Sequence, residues 1–294
     1  GCSCAVTVPE MTAAQPSITE STIEANGLTF GTLSVGEGPL ALCLHGFPDS
    51  AWTWRHLLPE LAAAGYRAVA PFLRGYAPTS IPADGLYQSG AVASDAIALH
   101  SALGGGDDAV LIGHDWGALA AYGAAGHASE RWAKVVVASV PPPATVAQSF
   151  FSYDQLQRSW YMFFFQSPLS DLAVPMDDLA FIDRLWKDWS PGYDGAEFVA
   201  LAKDCFRDPA NLAAALGYYR ATLGTGARQF LHQLRSPALD SLRLLLQGHQ
   251  RRLVRSRSLP LFMGRLPAGL RRPDPLVRAL PSMGVISQPL ALGI

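Results

Sequence analysis

Short apolar runs recur along the first half of the chain, separated by longer stretches with helical spacing. Leu28–Val35 alternates enough to read as a strand, and the compact runs Ala41–His45, Arg67–Pro71, Ala109–Gly113 and Lys134–Val140 read as further strands. Between them, Ala51–Ala64 carries Trp52, Leu57, Leu58 and Leu61 at helical intervals, which predicts one helix. Gly90–Leu103 predicts another, stopped by Gly104-Gly105-Gly106. Strands alternating with helices imply an α/β fold: a mostly parallel sheet with helices on both faces. Pro141-Pro142-Pro143 breaks the pattern. The stretch that follows is rich in aromatics and helix formers, has no strand alternation, and carries a mixed run from Asp171 to Trp189 at helical spacing. The resulting expectation is an N-terminal extension over 1–26, the first part of the core over 27–142, a helical lid over 143–226, and an atypical last part of the core over 227–294.

Composition narrows the function classes. The 294 residues are 49% hydrophobic, enough to fill a sizeable core, and the net charge is −2, which gives no reason to expect a nucleic-acid or anionic-membrane partner. No run reaches the ~18 consecutive apolar residues that a membrane span needs. Cys2, Cys4, Cys43 and Cys205 have neither disulfide nor zinc spacing, so no metal and no cofactor are expected, and Cys43 reads as a small buried residue of a strand. Residues 1–10 lack the basic start and apolar core of a signal peptide, and Met11 begins a more ordinary N-terminus, so a cytoplasmic location is expected. Nothing in the pattern decides the oligomeric state.

The chemistry-bearing stretch is Gly113-His114-Asp115-Trp116-Gly117, between the strand Ala109–Gly113 and the helix-compatible run Ala118–Tyr122. It has the form of a nucleophile elbow with Asp115 where a serine would stand. A carboxylate there attacks an sp³ carbon bearing a leaving group and forms an alkyl ester. An Asp capping an ordinary helix start would look the same in isolation. A second turn, His45-Gly46-Phe47-Pro48, follows another apolar strand and would reach the same sheet edge, where ligands of open α/β sheets bind. The backbone N–H groups of Phe47 and Trp116 would then supply two donors to an oxyanion. His45 reads as a turn histidine bonded to nearby backbone rather than as a base, and Phe47-Pro48 is a candidate for a cis bond.

Taken together, His45-Gly46-Phe47-Pro48, Arg74-Gly75-Tyr76 and Gly113-His114-Asp115-Trp116-Gly117 resemble the α/β-hydrolase-fold epoxide hydrolases, in order and spacing, over about residues 20–226. The resemblance implies an α/β-hydrolase fold, a small apolar epoxide and water as the reacting partners, and two lid tyrosines that hold the epoxide oxygen. The matching positions are Tyr161, in Trp160-Tyr161-Met162-Phe163-Phe164-Phe165-Gln166, and Tyr219 rather than Tyr218, because the residue of the family pattern directly precedes Arg. The Phe163-Phe164-Phe165 run reads equally as lid packing or as substrate lining. Haloalkane dehalogenases share the Asp-Trp pair but usually carry Asn at the position of Phe47; fluoroacetate dehalogenases usually have Arg where Trp116 stands. A dehalogenase on the same scaffold and a non-catalytic ligand-binding protein remain alternatives.

The last 68 residues depart from this pattern. Residues 227–294 hold 11 of the 22 basic residues, all Arg, and only Asp240 and Asp274 of the 24 acids. The first 226 residues therefore carry −11 and the tail +9, a split that a single compact domain rarely shows. The resemblance implies a His-Gly turn after a strand, an acid soon after it, and a late His as base. Leu244-Leu245-Leu246-Gln247-Gly248 is the nearest segment to that strand, no acid follows until Asp274, and no His follows His249. Arg interspersed among Leu, Pro and Ser is what out-of-frame reading of a GC-rich gene tends to give; a divergent tail is the other reading. The resemblance thus equips the chain for ester formation and leaves the base for ester hydrolysis unassigned.

Overall fold

A computed structural model of the chain describes residues 17–142, 146 and 150–224. The expectations placed on residues 227–294 lie outside the described residues. Among the described residues six strands form one sheet: β1 (Thr19–Ala25), β2 (Leu28–Val35), β3 (Leu40–Leu44), β4 (Arg67–Pro71), β5 (Val110–His114) and β6 (Lys134–Ala138), in the spatial order β1-β2-β4-β3-β5-β6. β3 pairs in parallel with both β4 and β5, and β5 with β6, while β1 and β2 run antiparallel at one side. β3 and β5 are buried along their full length, which is why they read as unbroken apolar runs.

Chain direction reverses at β3. The connection through α1 (Leu57–Ala63) leads to β4 on one side of it, and the connection through α2 (Ser89–Ala102) leads back to β5 on the other. Right-handed crossovers taken in opposite directions put α1 on one face and α2 with α3 (Trp116–His127) on the other. α2 and α3 pack against each other, and α1 packs on β4 and β2. The crevice at such a switch point opens at the carboxyl ends of β3 and β5. Leu44 and Gly113 are partners in the β3–β5 ladder, so the turns that follow them emerge side by side.

Two expectations need correction. The boundary at residue 27 is displaced, because Thr19–Ala25 forms β1 and pairs residue for residue with β2. Asn26 (φ 49°) and Gly27 (φ 74°) make the turn between them, the two-residue Asn-Gly hairpin that needs positive φ at both positions. β1 is mostly exposed, so it carries almost no apolar signal of its own. The single helix expected over 51–64 is instead a 3₁₀ turn, Ala51–Trp54, followed by α1. Pro59 explains the break: with no N–H it cannot bond the carbonyl of Arg55, and its ring would clash there, so the α-helix can begin no earlier than the turn that holds it.

The lid contains α4 (Tyr153–Arg158), α5 (Trp160–Phe164), α6 (Leu169–Ala173), α7 (Met176–Trp189), α8 (Ala196–Asp204) and α9 (Pro209–Leu223). Asp208 caps α9 by accepting from Ala210 N at 2.8 Å, with Pro209 at the first helical position. The lid is tied to the core by Trp186 Nε1 donating to Pro48 O (2.7 Å), Asn211 Nδ2 donating to Gly75 O (2.7 Å), and the Arg55–Glu197 ion pair (2.7 Å). No helix among the described residues is long and apolar enough to cross a membrane.

Candidate functional site

Asp115 sits between β5 and α3 with φ 53° and ψ −115°, a conformation that costs a non-glycine residue about 1–3 kcal/mol. The flanking glycines make it feasible. A Cβ on Gly113 would lie 2.2 Å from Gly117 O, and one on Gly117 would lie 2.1 Å from Leu44 O. The backbone is pinned by Gly117 N donating to His45 O (2.9 Å) and Asp115 N donating to Ala138 O (3.3 Å). The elbow is therefore braced by the β3 turn on one side and β6 on the other.

The β3 turn also meets the Asp115 side chain. A Cβ on Gly46 would lie 2.3 Å from Asp115 Oδ1, so only glycine admits the carboxylate here. Phe47 N donates to Asp115 Oδ1 at 2.7 Å, a charge-assisted bond by its length. Trp116 opens α3, where an amide has no partner inside the helix. Phe47-Pro48 is cis, as is Ala77-Pro78. His45 is fully buried, with Nδ1 paired to Gly46 O (2.9 Å) and Nε2 accepting from Leu73 N (3.0 Å). Burial, with a smaller contribution from His114, pushes its pKa down to about 3. It is a neutral turn histidine with both nitrogens committed.

The two lid tyrosines converge on the elbow. Tyr161 and Tyr219 are 1% and 2% exposed, and their rings meet edge to face with centroids 5.6 Å apart. Tyr219 contacts the rings of Trp116 (5.0 Å) and Phe47 (5.3 Å). Among the described residues neither phenol completes a hydrogen bond, although the two lie near enough to interact. Burial, reinforced by the charge of Asp115, raises both phenols above their ordinary range and keeps them protonated as donors. Tyr218 is different: its hydroxyl donates to Arg74 O at 2.8 Å and is spent on holding the lid to the core.

The three phenylalanines after Met162 divide their roles. Phe165 is buried against Phe47, Tyr219 and Tyr161, and so belongs to the site. Phe164 stacks on Phe181 in the lid, and Phe163 is exposed. Arg74 of the Arg-Gly-Tyr motif is structural: its Nε and Nη2 grip both oxygens of buried Asp95 at 2.6 Å, and Asp95 also accepts from Asn26 Nδ2.

Sequence reasoning missed Asp49 and gave Tyr76 no role beyond its place in the Arg-Gly-Tyr motif. Asp49 is 1% exposed; Ser50 N donates to its Oδ1 (2.7 Å), and Oδ2 has no hydrogen-bond partner among the described residues. Burial pushes its pKa up to about 7, with the Asp115 charge adding to the rise and Ser50 N and the Thr53 hydroxyl opposing it. Its position directly after His45-Gly46-Phe47-Pro48 was the available signal. Tyr76, also buried with an unpartnered hydroxyl, packs between His45, Phe206 and Tyr218. Among the described residues no group of side chains could hold a metal ion.

Comparison with known proteins places the fold in a family. The family model of the alpha/beta hydrolase fold matches residues 39–177. An epoxide hydrolase of Caballeronia sordidicola is 44% identical over 125 residues, 42% of this chain and 38% of that protein. The AB hydrolase superfamily protein YfhM of Bacillus subtilis is 30% identical over 206 residues, 68% of this chain and 71% of that protein. The crystal structure of epoxide hydrolase VrEH1 from Vigna radiata aligns with a TM-score of 0.59 at 29% identity, covering 70% of this chain and 73% of that one. The chain spans less than half the length of the first curated relatives it matches. With its strand order, its elbow and these relatives, the chain belongs to the α/β-hydrolase superfamily, among the proteins similar to epoxide hydrolases.

Proposed function

We propose that this chain opens small apolar epoxides through an ester on Asp115. The observation that carries the reading is the pairing of a carboxylate that accepts from the Phe47 backbone with two buried, protonated phenols that have no hydrogen-bond partner among the described residues. An oxygen of Asp115 attacks an epoxide carbon. The new C–O bond forms as the ring C–O bond breaks, and the departing oxygen takes hydrogen bonds and then a proton from the Tyr161–Tyr219 pair. The product is a hydroxyalkyl ester. Its carbonyl oxygen falls to the Phe47 and Trp116 amides, which stabilise the tetrahedral oxyanion when water attacks. The surrounding rings of Phe47, Trp116, Phe165 and Trp189 exclude water and favour an apolar substrate. Phe47 offers no side-chain donor to a halide, which favours an epoxide over a haloalkane.

Ester hydrolysis needs a general base. No residue of this chain is assigned as the late His or its acid that the resemblance implies, and residues 227–294, where that pattern would place them, lie outside the described residues. A chain without that base alkylates once and stalls, since a base contributes ~10²–10⁴-fold in rate. Incubation with styrene oxide should therefore leave a mass adduct on the peptide containing Asp115, with diol at about one equivalent or less. Asp115→Asn should carry no adduct. Chloride release from a chloroalkane with no epoxide adduct would establish the dehalogenase instead. Binding without either product would establish a ligand-binding protein, and sustained diol production would show that the chain holds a working base.

A further inference from the structure

Tyr161 lies on a helix too short to hold itself. α5 has five residues, and isolated helices below ~12–15 residues are marginal in water. Tyr219 lies near the end of α9, more than fifty positions away in sequence. Two phenols that are to receive one oxygen must keep a fixed separation, and ring packing alone constrains that separation weakly.

Two side chains close this gap through the backbone. Gln166 Nε2 donates to Met162 O (2.9 Å), in the middle of α5, and to Tyr219 O (3.0 Å) in α9. In the reverse direction, Arg220 Nε donates to Phe165 O (2.9 Å), while its Nη2 donates to Ser170 Oγ (2.9 Å) and Asp171 Oδ1 (2.6 Å). Phe165 N in turn donates to Tyr161 O (2.9 Å). Each tyrosine is thus bonded, through at most one intervening residue, to a side chain from the other segment: Tyr219 to Gln166, just past α5, and Tyr161 through Phe165 to Arg220 of α9. The space is closely fitted: a Cβ on Gly224 would come within 3.1 Å of Gln166 Oε1.

We propose that Gln166 and Arg220 are positioning residues that hold the two phenols at the separation required by a single epoxide oxygen. The proposal rests on the reading that Tyr161 and Tyr219 act on that oxygen. The bonds to Met162, Tyr219 and Phe165 end on main-chain carbonyls, so they set the relative placement of the two backbone segments rather than merely filling the lid.

The test compares Gln166→Met, which keeps length and loses both donors, with Arg220→Lys, which keeps one cationic donor. Arg55→Ala, which loosens a different lid contact, serves as the control. Single-turnover adduct formation with styrene oxide gives a maximal rate and a half-saturation concentration. Near-ultraviolet circular dichroism reads the order of the chain's aromatic rings, Tyr161, Tyr219 and Trp116 among them, independently of chemistry. Gln166→Met should lower the maximal rate about 10- to 100-fold with half-saturation nearly unchanged, since a misplacement near 1 Å can cost that much. It should also weaken the near-ultraviolet band at unchanged far-ultraviolet signal. Arg220→Lys should recover part of both. A wild-type rate and band in Gln166→Met would overturn the proposal, as would a rate loss no greater than that of Arg55→Ala at equal thermal stability. Absence of any adduct from the unaltered chain would refute the functional reading, and the near-ultraviolet band would then decide the clamp by itself.

Discussion

Asp49→Asn should stabilise this protein, and by an amount that grows with pH. In the folded chain the carboxyl is buried, with Oδ2 unpartnered and the Asp115 charge nearby, and its pKa rises from 3.8 to about 7. A carboxyl whose folded pKa is raised binds its proton more tightly when folded than when unfolded. Its stabilising contribution is intact below the unfolded pKa and is lost as pH rises from near 4 through about 7. At 1.36 kcal/mol per pKa unit, the loss is roughly 2 kcal/mol by pH 5.5 and roughly 4 kcal/mol by pH 8. Asn has nearly the same shape, keeps an oxygen for Ser50 N, and never ionises. The difference in unfolding free energy between Asp49→Asn and the unaltered chain should therefore increase by about 2 kcal/mol from pH 5.5 to pH 8. Urea unfolding at the two pH values, at fixed ionic strength, measures it. Taking the difference removes the opposing trend of His45, whose depressed pKa makes the fold lose stability as pH falls below 6.5. A pH-independent difference, or one that shrinks toward pH 8, would show that Asp49 is solvated or paired and that the argument from burial is wrong.

Gly117→Ala should prevent accumulation of folded protein or cost more than ~3 kcal/mol, because its Cβ would lie 2.1 Å from the Leu44 carbonyl in a rigid ladder; a near-neutral thermal shift would mean that the elbow is not as braced as described. The neighbouring tyrosines should separate cleanly. Tyr218→Phe loses the bond to Arg74 O and should cost about 1–2 kcal/mol of stability while leaving single-turnover alkylation near its original rate. Tyr219→Phe loses no completed bond, should leave stability nearly unchanged, and should slow alkylation by ~10²-fold, as expected for one oxyanion donor. Equal kinetic effects from the two variants would refute the assignment.

Much of the core was legible because its signals are local. β2 and β4 match the segments Leu28–Val35 and Arg67–Pro71 read from apolar runs, and β3 and β5 are displaced by only one residue. The glycines of the elbow announced a turn that no larger residue could make. The failures were also physical. β1 lies at the sheet edge with its side chains in water, so hydrophobicity could not reveal it, although Asn26-Gly27 could have. Pro59 cut the helix expected over 51–64, a breaker whose effect depends on a carbonyl four residues earlier.

The sequence by itself determined the parts that act through neighbours along the chain: the strand-turn-helix around Asp115, the glycines that flank it, and the lid segments that carry tyrosines. Tertiary structure decided which polar atoms remain available. Tyr218 and Tyr219 are adjacent and chemically identical, yet one hydroxyl is consumed by Arg74, 144 positions away, and the other is left beside the elbow. Asp49 is one residue past a recognisable motif, yet its ionisation is governed by burial and by the charge of Asp115, which folding brings near it. Hydrogen-bond commitment and desolvation are set by contacts between distant segments, and a linear pattern carries no record of them.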